Sequence, residues 1–122
     1  MDSEKKILII DDEPDMIFLL QSRLEAAGFE VATAGDGSAG LDRARSFKPN
    51  LIVLDVMMPT MNGYQVCREL KKDPNTKDIK VIMLTAKSQE SDRFWGIETG
   101  ADIYLTKPFE AADLLSKIHE LV

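Results

Sequence analysis

The sequence predicts an α/β protein built on a single doubly wound sheet of five parallel strands, in the order 2-1-3-4-5, with five flanking helices. Three observations carry this expectation. Short runs rich in Ile, Val and Leu recur at about residues 6–10, 30–34, 50–54, 80–84 and 101–105. Each is followed by a stretch with helical spacing, and strict strand and helix alternation demands parallel strands joined by right-handed crossovers. The runs at 7–10, 51–54 and 81–84 are continuously aliphatic, as strands covered on both faces must be, whereas Val31-Ala32-Thr33-Ala34 and Asp102-Ile103-Tyr104-Leu105 are mixed. The first, third and fourth strands are therefore central, the second and fifth lie at the edges, and the topological switch point falls between the first and third.

The helices follow from spacing and punctuation. The first starts at Pro14, puts Ile17, Leu20 and Leu24 on one face, and stops at Gly28, a residue suited to the left-handed position beyond a helix end. Leu41 and Ala44 mark the second before Pro49, and Val66 and Leu70 the third before Pro74. Phe94 and Ile97 mark the fourth before Gly100, and Leu114, Ile118 and Leu121 the fifth. Trp95 should lie beside the buried stripe of the fourth helix and be partly exposed, Cys67 should pack on the third, and His119 should face solvent. Asn62-Gly63 precedes a helix rather than a second hairpin strand, so it reads as part of the loop after the third strand.

Composition narrows the function. The 122 residues hold 15 Lys and Arg against 21 Asp and Glu, a net charge of −6, with no basic cluster to oppose a phosphate backbone. Direct nucleic-acid binding by this chain is therefore not expected. With 44% hydrophobic and 30% charged residues the chain reads as one globular domain spanning residues 1–122. A single cysteine excludes a disulfide-stapled scaffold, and the aliphatic runs of four residues are far below a membrane span. A cytoplasmic setting is the expectation.

Ligand chemistry in such a sheet belongs at the carboxyl ends of the strands. There the sequence offers Asp11-Asp12-Glu13 after the first strand, Asp55 after the third, Thr85 after the fourth and Lys107 after the fifth. Three converging carboxylates repel and raise one another's pKa values unless a hard cation sits among them. Mg²⁺ fits, since it takes oxygen ligands and commonly bridges carboxylates to a phosphate oxygen, and Mn²⁺ would accept the same ligands. Asp55 could then attack a phosphoryl group, with the Thr85 hydroxyl and the Lys107 ammonium neutralising the phosphoryl oxygens. Taken singly, these residues have ordinary readings as caps, turns and strand ends. The inference rests on all four sites falling at strand ends together.

In that combination the chain resembles a response regulator receiver domain over essentially its full length, a family with a flavodoxin-like fold. The resemblance is carried by Asp11-Asp12, by Leu54-Asp55 followed by Met57-Met58-Pro59 and Met61-Asn62-Gly63, by Leu84-Thr85-Ala86, by Gly100-Ala101-Asp102 and by Lys107-Pro108-Phe109. It implies that Asp55 is the phospho-acceptor and that Asp11, Asp12, Asp55 and the Met57 backbone carbonyl hold Mg²⁺. It also implies that Thr85, Ala86 and Lys107 bind the phosphoryl group, that Thr85 and Tyr104 form a switch pair, and that the Lys107-Pro108 peptide is cis. The phosphoryl donor would be a sensor histidine kinase or phosphotransfer protein. The signal would pass to a downstream effector domain or protein through the face formed by the fourth helix, fifth strand and last helix. Such a protein phosphorylates and dephosphorylates its own aspartate and is not a turnover enzyme.

Three other functions of this fold class compete for the same residues. A flavin binder needs amides and hydroxyls after the first strand, where Asp11-Asp12-Glu13 would repel the phosphate. A phosphatase of the haloacid dehalogenase type pairs its nucleophile with a second Asp two residues on, where this chain has Met57. A pseudo-receiver, acting as a phosphorylation-independent interaction module, stays as the alternative. The sequence is compatible with both a free-standing regulator and a receiver excised from a longer protein.

Overall fold

A computed structural model describes residues 5–86 and 100–122. In chain order these form β1 (Lys6–Ile10), α1 (Pro14–Ala26), β2 (Glu30–Ala34), α2 (Gly37–Phe47), β3 (Leu51–Asp55), α3 (Gly63–Lys72), β4 (Lys80–Ala86), β5 (Ile103–Lys107) and α4 (Ala111–Leu121). All strands are parallel, in the order β2-β1-β3-β4-β5, as the sequence predicts. Four helices are seen among the described residues. The helix expected around Phe94 and Ile97, and Trp95 with it, lies outside them.

The continuous aliphatic runs are explained by two cores, one on each face of the sheet. Alternate residues Leu8, Ile10, Ile52, Leu54, Val81 and Met83 pack with Leu41, Ala44, Val66 and Leu70 of α2 and α3. Their neighbours Ile7, Ile9, Leu51, Val53, Ile82 and Leu84 pack on the other face with Leu20, Leu24, Leu114 and Ile118 of α1 and α4. Period-two alternation thus sends every aliphatic residue of the runs at 7–10, 51–54 and 81–84 into one core or the other. Cys67 is buried in the first core, while His119 is exposed and sets its ring 5.6 Å from that of Phe29.

The helix starts use three different devices. Asp36 caps α2 by accepting a hydrogen bond from the Ala39 N–H at 2.8 Å. Asn62 and Gln65 form a reciprocal capping box at α3, so Asn62-Gly63 is the start of the helix rather than loop. At α1, Glu13 occupies the N-cap position but its side chain makes no cap bond; Asp11 Oδ1 instead accepts from the Glu13 N–H at 2.9 Å. Gly28 follows α1 with φ +98°, the left-handed conformation its place in the sequence suggested.

Strand limits differ from expectation where the site residues lie. β4 continues through Thr85 to Ala86, and β5 runs over 103–107 rather than 101–105. The cause is Asp102: its N–H donates to the Val81 carbonyl, and its carboxylate accepts the Val81 N–H at 2.9 Å. This side-chain bond opens the pairing before the regular ladder begins at Ile103 and carries it to Lys107 opposite Ala86. Lys107 therefore ends β5 instead of following it, and Asp55 likewise is the last residue of β3.

Gly63 sets how closely α3 approaches the sheet. A Cβ there would meet the Asp55 carbonyl oxygen at 2.5 Å and Val56 Cα at 2.9 Å, both backbone atoms that cannot turn aside. Gly63→Ala is expected to destabilise the protein by about 2 kcal/mol or more, whereas Gly35→Ala, with nothing within 4 Å, stays close to wild type. Urea unfolding midpoints of the two variants check this.

Candidate functional site: an acidic rim at the strand ends

Because β1 and β3 are neighbours whose connections leave on opposite faces, their carboxyl ends open a cleft, and the residues there are acidic. Asp11 directly follows β1, anchored by its N–H to the Ala34 carbonyl at 3.1 Å. Asp55 closes β3. Both are buried, at 1% and 2% exposure, while Asp12 is exposed. Carboxylate oxygens of Asp11, Asp12 and Asp55 all lie within 4.8 Å of one another.

A single ammonium reaches into this group among the described residues. Lys107 Nζ donates to Asp55 Oδ1 at 2.9 Å and lies 4.0 Å from Glu13 Oε1. Burial alone would lower the Lys107 pKa, but the hydrogen bond and charge of Asp55 outweigh it and hold the amine above its ordinary value. Asp55 is raised by desolvation against the lowering effect of Lys107. Asp11 is pushed up to about 6, chiefly by burial, with the Asp55 charge adding to the rise and the Glu13 N–H opposing it.

Asp11 Oδ2 is buried without a hydrogen-bond partner among the described residues. A bare buried carboxylate oxygen is costly, and this one sits where two further carboxylates converge. An oxygen-seeking divalent cation satisfies all three, so the donor set fits a hard metal ion.

The remaining sequence-predicted residues surround this group. Thr85 is buried near the end of β4, opposite Thr106. Tyr104, opposite Met83, is half-buried against the core under α2 and α3. Strand alternation sets Thr85 and Tyr104 on the same face of the sheet. Met57 is exposed just beyond Asp55, whose carboxylate accepts a hydrogen bond from the Met57 backbone. Ala86 is half-buried, and the Lys107-Pro108 peptide is cis. Sequence reasoning missed the exposed apolar pair on α1, Phe18 at 73% and Leu19 at 48% exposure, because only the buried stripe of that helix was periodic. Met16 and Leu19 line an apolar groove with Ala86, Lys107, Pro108 and Phe109 beside the acidic rim.

A doubly wound sheet with buried carboxylates and one lysine at its switch point defines a class of small α/β proteins built around an acidic, metal-compatible pocket. Comparison with known proteins makes the class specific. The family model of the response regulator receiver domain matches residues 7–119, and the chain belongs to that family, which serves two-component systems. It is 47% identical over 120 residues to the probable transcriptional regulator ycf27 of Cyanophora paradoxa, covering 98% of this chain and 49% of that protein. The chain thus spans about half the length of the curated relatives it matches. Among solved structures, the chemotaxis protein CheY4 of Vibrio cholerae superposes with a TM-score of 0.93 at 29% identity, covering 98% of this chain and all of that one. The receiver domain of the sensor histidine kinase PA1611 from Pseudomonas aeruginosa, solved with a magnesium ion coordinated in its active-site cleft, superposes with a TM-score of 0.89 at 27% identity, covering 98% of both chains.

The Asp11 shift carries a signed consequence. Its pKa is higher folded than unfolded, so its contribution to stability is complete below about pH 4 and is lost as pH rises through about 6. In EDTA, Asp11→Asn should therefore gain on wild type by roughly 1–3 kcal/mol between pH 4 and pH 7. Urea midpoints of both proteins at the two pH values give the difference directly.

Proposed function

We propose that the chain is a phospho-accepting switch in which Asp55 takes a phosphoryl group from the phosphohistidine of a sensor kinase or phosphotransfer protein. The observation that carries this reading is Asp55 itself: a buried carboxylate at the end of a central strand, held by Lys107 at 2.9 Å, with Asp11 and Asp12 oxygens within 4.8 Å. Such an array supplies positioning and charge neutralisation, which phosphoryl transfer needs most.

Asp11, Asp12 and Asp55 would hold Mg²⁺ together with the Met57 carbonyl, and Mn²⁺ would suit the same oxygens. The bound ion supplies charge neutralisation for the carboxylates and for the phosphoryl oxygens. Asp55 provides the attacking oxygen. Lys107, already hydrogen-bonded to that carboxylate, moves its charge onto a phosphoryl oxygen, and the Thr85 hydroxyl and the Ala86 amide donate to the others. The product adds about −1.5 to −2 charges at the rim. Thr85 is drawn toward it, Tyr104 on the same sheet face turns into the space vacated, and the surface around β5 and α4 changes. This shift between two states requires that the phosphoryl group bind one of them better.

The chain acts on its own aspartate, so it is not a turnover enzyme. A protein donor is favoured by the exposed Phe18 and Leu19 and the apolar groove beside the rim, since a partner covering them would dry the site. Among the described residues no helix is long and apolar enough to cross a membrane. We place the protein in the cytoplasm, passing its signal to an effector domain or protein, as the transcriptional regulators among its relatives suggest.

Intact mass after incubation with acetyl phosphate and Mg²⁺ tests the chemistry. Wild type should gain one phosphoryl group, and Asp55→Asn or wild type in EDTA should gain none. No gain in wild type would make the chain a phosphorylation-independent binding module. Thr85→Ala should still be phosphorylated but lose the difference in effector affinity between its two forms; an undiminished difference in a binding titration would disprove the Thr85 coupling.

A further inference from the structure

Glu13 is the residue of the rim whose local chemistry is unexplained. It stands at the N-cap of α1, where Ser, Thr, Asp or Asn would satisfy the helix, yet its side chain makes no cap bond. The Asp11 carboxylate serves the Glu13 N–H instead, which leaves the Glu13 carboxylate free to extend over the rim. It is 63% exposed there and lies 4.0 Å from Lys107 Nζ. The same ammonium is bound to Asp55 at 2.9 Å, so one cation is shared between the buried carboxylate and an exposed one.

From this sharing we infer that Glu13 is a specificity-determining residue, an electrostatic filter that slows phosphorylation of Asp55 by free, multiply charged phosphodonors. The inference rests on the phospho-acceptor reading above. A small donor must bring its phosphoryl oxygens to Lys107, and it meets Glu13 as a competitor for that ammonium and as a like charge. A donor that is less charged is opposed less, as is one delivered by a docked protein whose contacts elsewhere offset the repulsion.

Two donors of different charge separate the effect from any structural role. With acetyl phosphate, a dianion at neutral pH, an Asp55 oxygen forms a bond to phosphorus as the bond to the acetyl oxygen breaks, and acetate leaves with the electron pair. With phosphoramidate, carrying one net negative charge, the phosphorus–nitrogen bond breaks and neutral ammonia leaves. In both cases the product is the aspartyl phosphate dianion and total charge is conserved. Glu13 Oε1 lies at most about 7 Å from Asp55 Oδ1. At that range Coulomb repulsion screened by 0.1 M salt corresponds to about a threefold rate effect on a dianion, to about 1.7-fold on a monoanion, for which the energy is half, and to almost none at 1 M.

The experiment measures initial rates of phosphoryl gain by intact mass, in Mg²⁺, for wild type, Glu13→Gln and Glu30→Gln. Glu30 is an exposed residue at the opposite end of the sheet, at the start of β2, and its variant controls for net charge. Glu13→Gln should accelerate acetyl phosphate about threefold at 0.1 M salt, phosphoramidate less, and neither at 1 M. Glu30→Gln should match wild type throughout. Equal or slower rates for Glu13→Gln, or an acceleration independent of donor charge and salt, overturn the filter while leaving the phospho-acceptor reading intact. Failure of wild type to gain a phosphoryl group from either donor overturns both.

Discussion

Two carboxylates buried side by side at the end of an otherwise apolar sheet form the constraint on which the rest of the molecule turns. Asp11 and Asp55 follow strand residues that are fully buried, in a region where water is displaced and charge is expensive. Parallel pairing of β1 with β3 leaves them no alternative, because the ladder brings both strand ends to the same rim. The compensations present in the fold are partial. Lys107 neutralises Asp55, the Glu13 amide serves one oxygen of Asp11, and the other oxygen has no hydrogen bond among the described residues. A carboxylate site so incompletely satisfied gains free energy when a cation binds it.

The surrounding architecture is arranged around that rim. α3 starts close above it because Gly63 allows backbone to approach the Asp55 carbonyl, and the Asn62–Gln65 capping box completes the start of that helix. On the other side, β5 carries Lys107 in from the sheet edge. Every residue of β5 is only half-buried, in contrast to the wholly buried β3. Edge strands with fewer buried contacts open and shift at lower cost than central ones. Under the proposed reading, a charge change at Asp55 is felt first by the lysine that ends this most adjustable strand. Thr85 lies one strand inward, on the sheet face that it shares with Tyr104.

Family membership gives the arrangement its context. Relatives such as ycf27 are about twice the length of this chain, and a structural neighbour occupies the equivalent length by itself. What the structural neighbour shares with this chain is the fold, over 98% of this chain's length. Phe18 and Leu19 on α1 are exposed, outside the buried part of the rim.

The amino-acid sequence by itself determined the strand order and the identity of the rim residues. Uninterrupted aliphatic runs can be satisfied only by strands covered on both faces, and strict alternation with helices leaves little freedom in their connection. Asp11, Asp12, Asp55, Thr85 and Lys107 were legible only as a set, because all fall at strand ends on one rim, although each taken singly reads as a cap, turn or strand end. Strand limits were less legible. The two-residue displacement of β5 depends on the Asp102 carboxylate standing in for a ladder bond to Val81, a contact across 21 residues that no local pattern encodes. The division of Lys107 between Asp55 and Glu13 was likewise hidden, since it needs β5 to bring its last residue over the start of α1. Periodicity records which side of an element faces apolar surroundings, whereas distances between charges at the strand ends exist only once the sheet has closed its register.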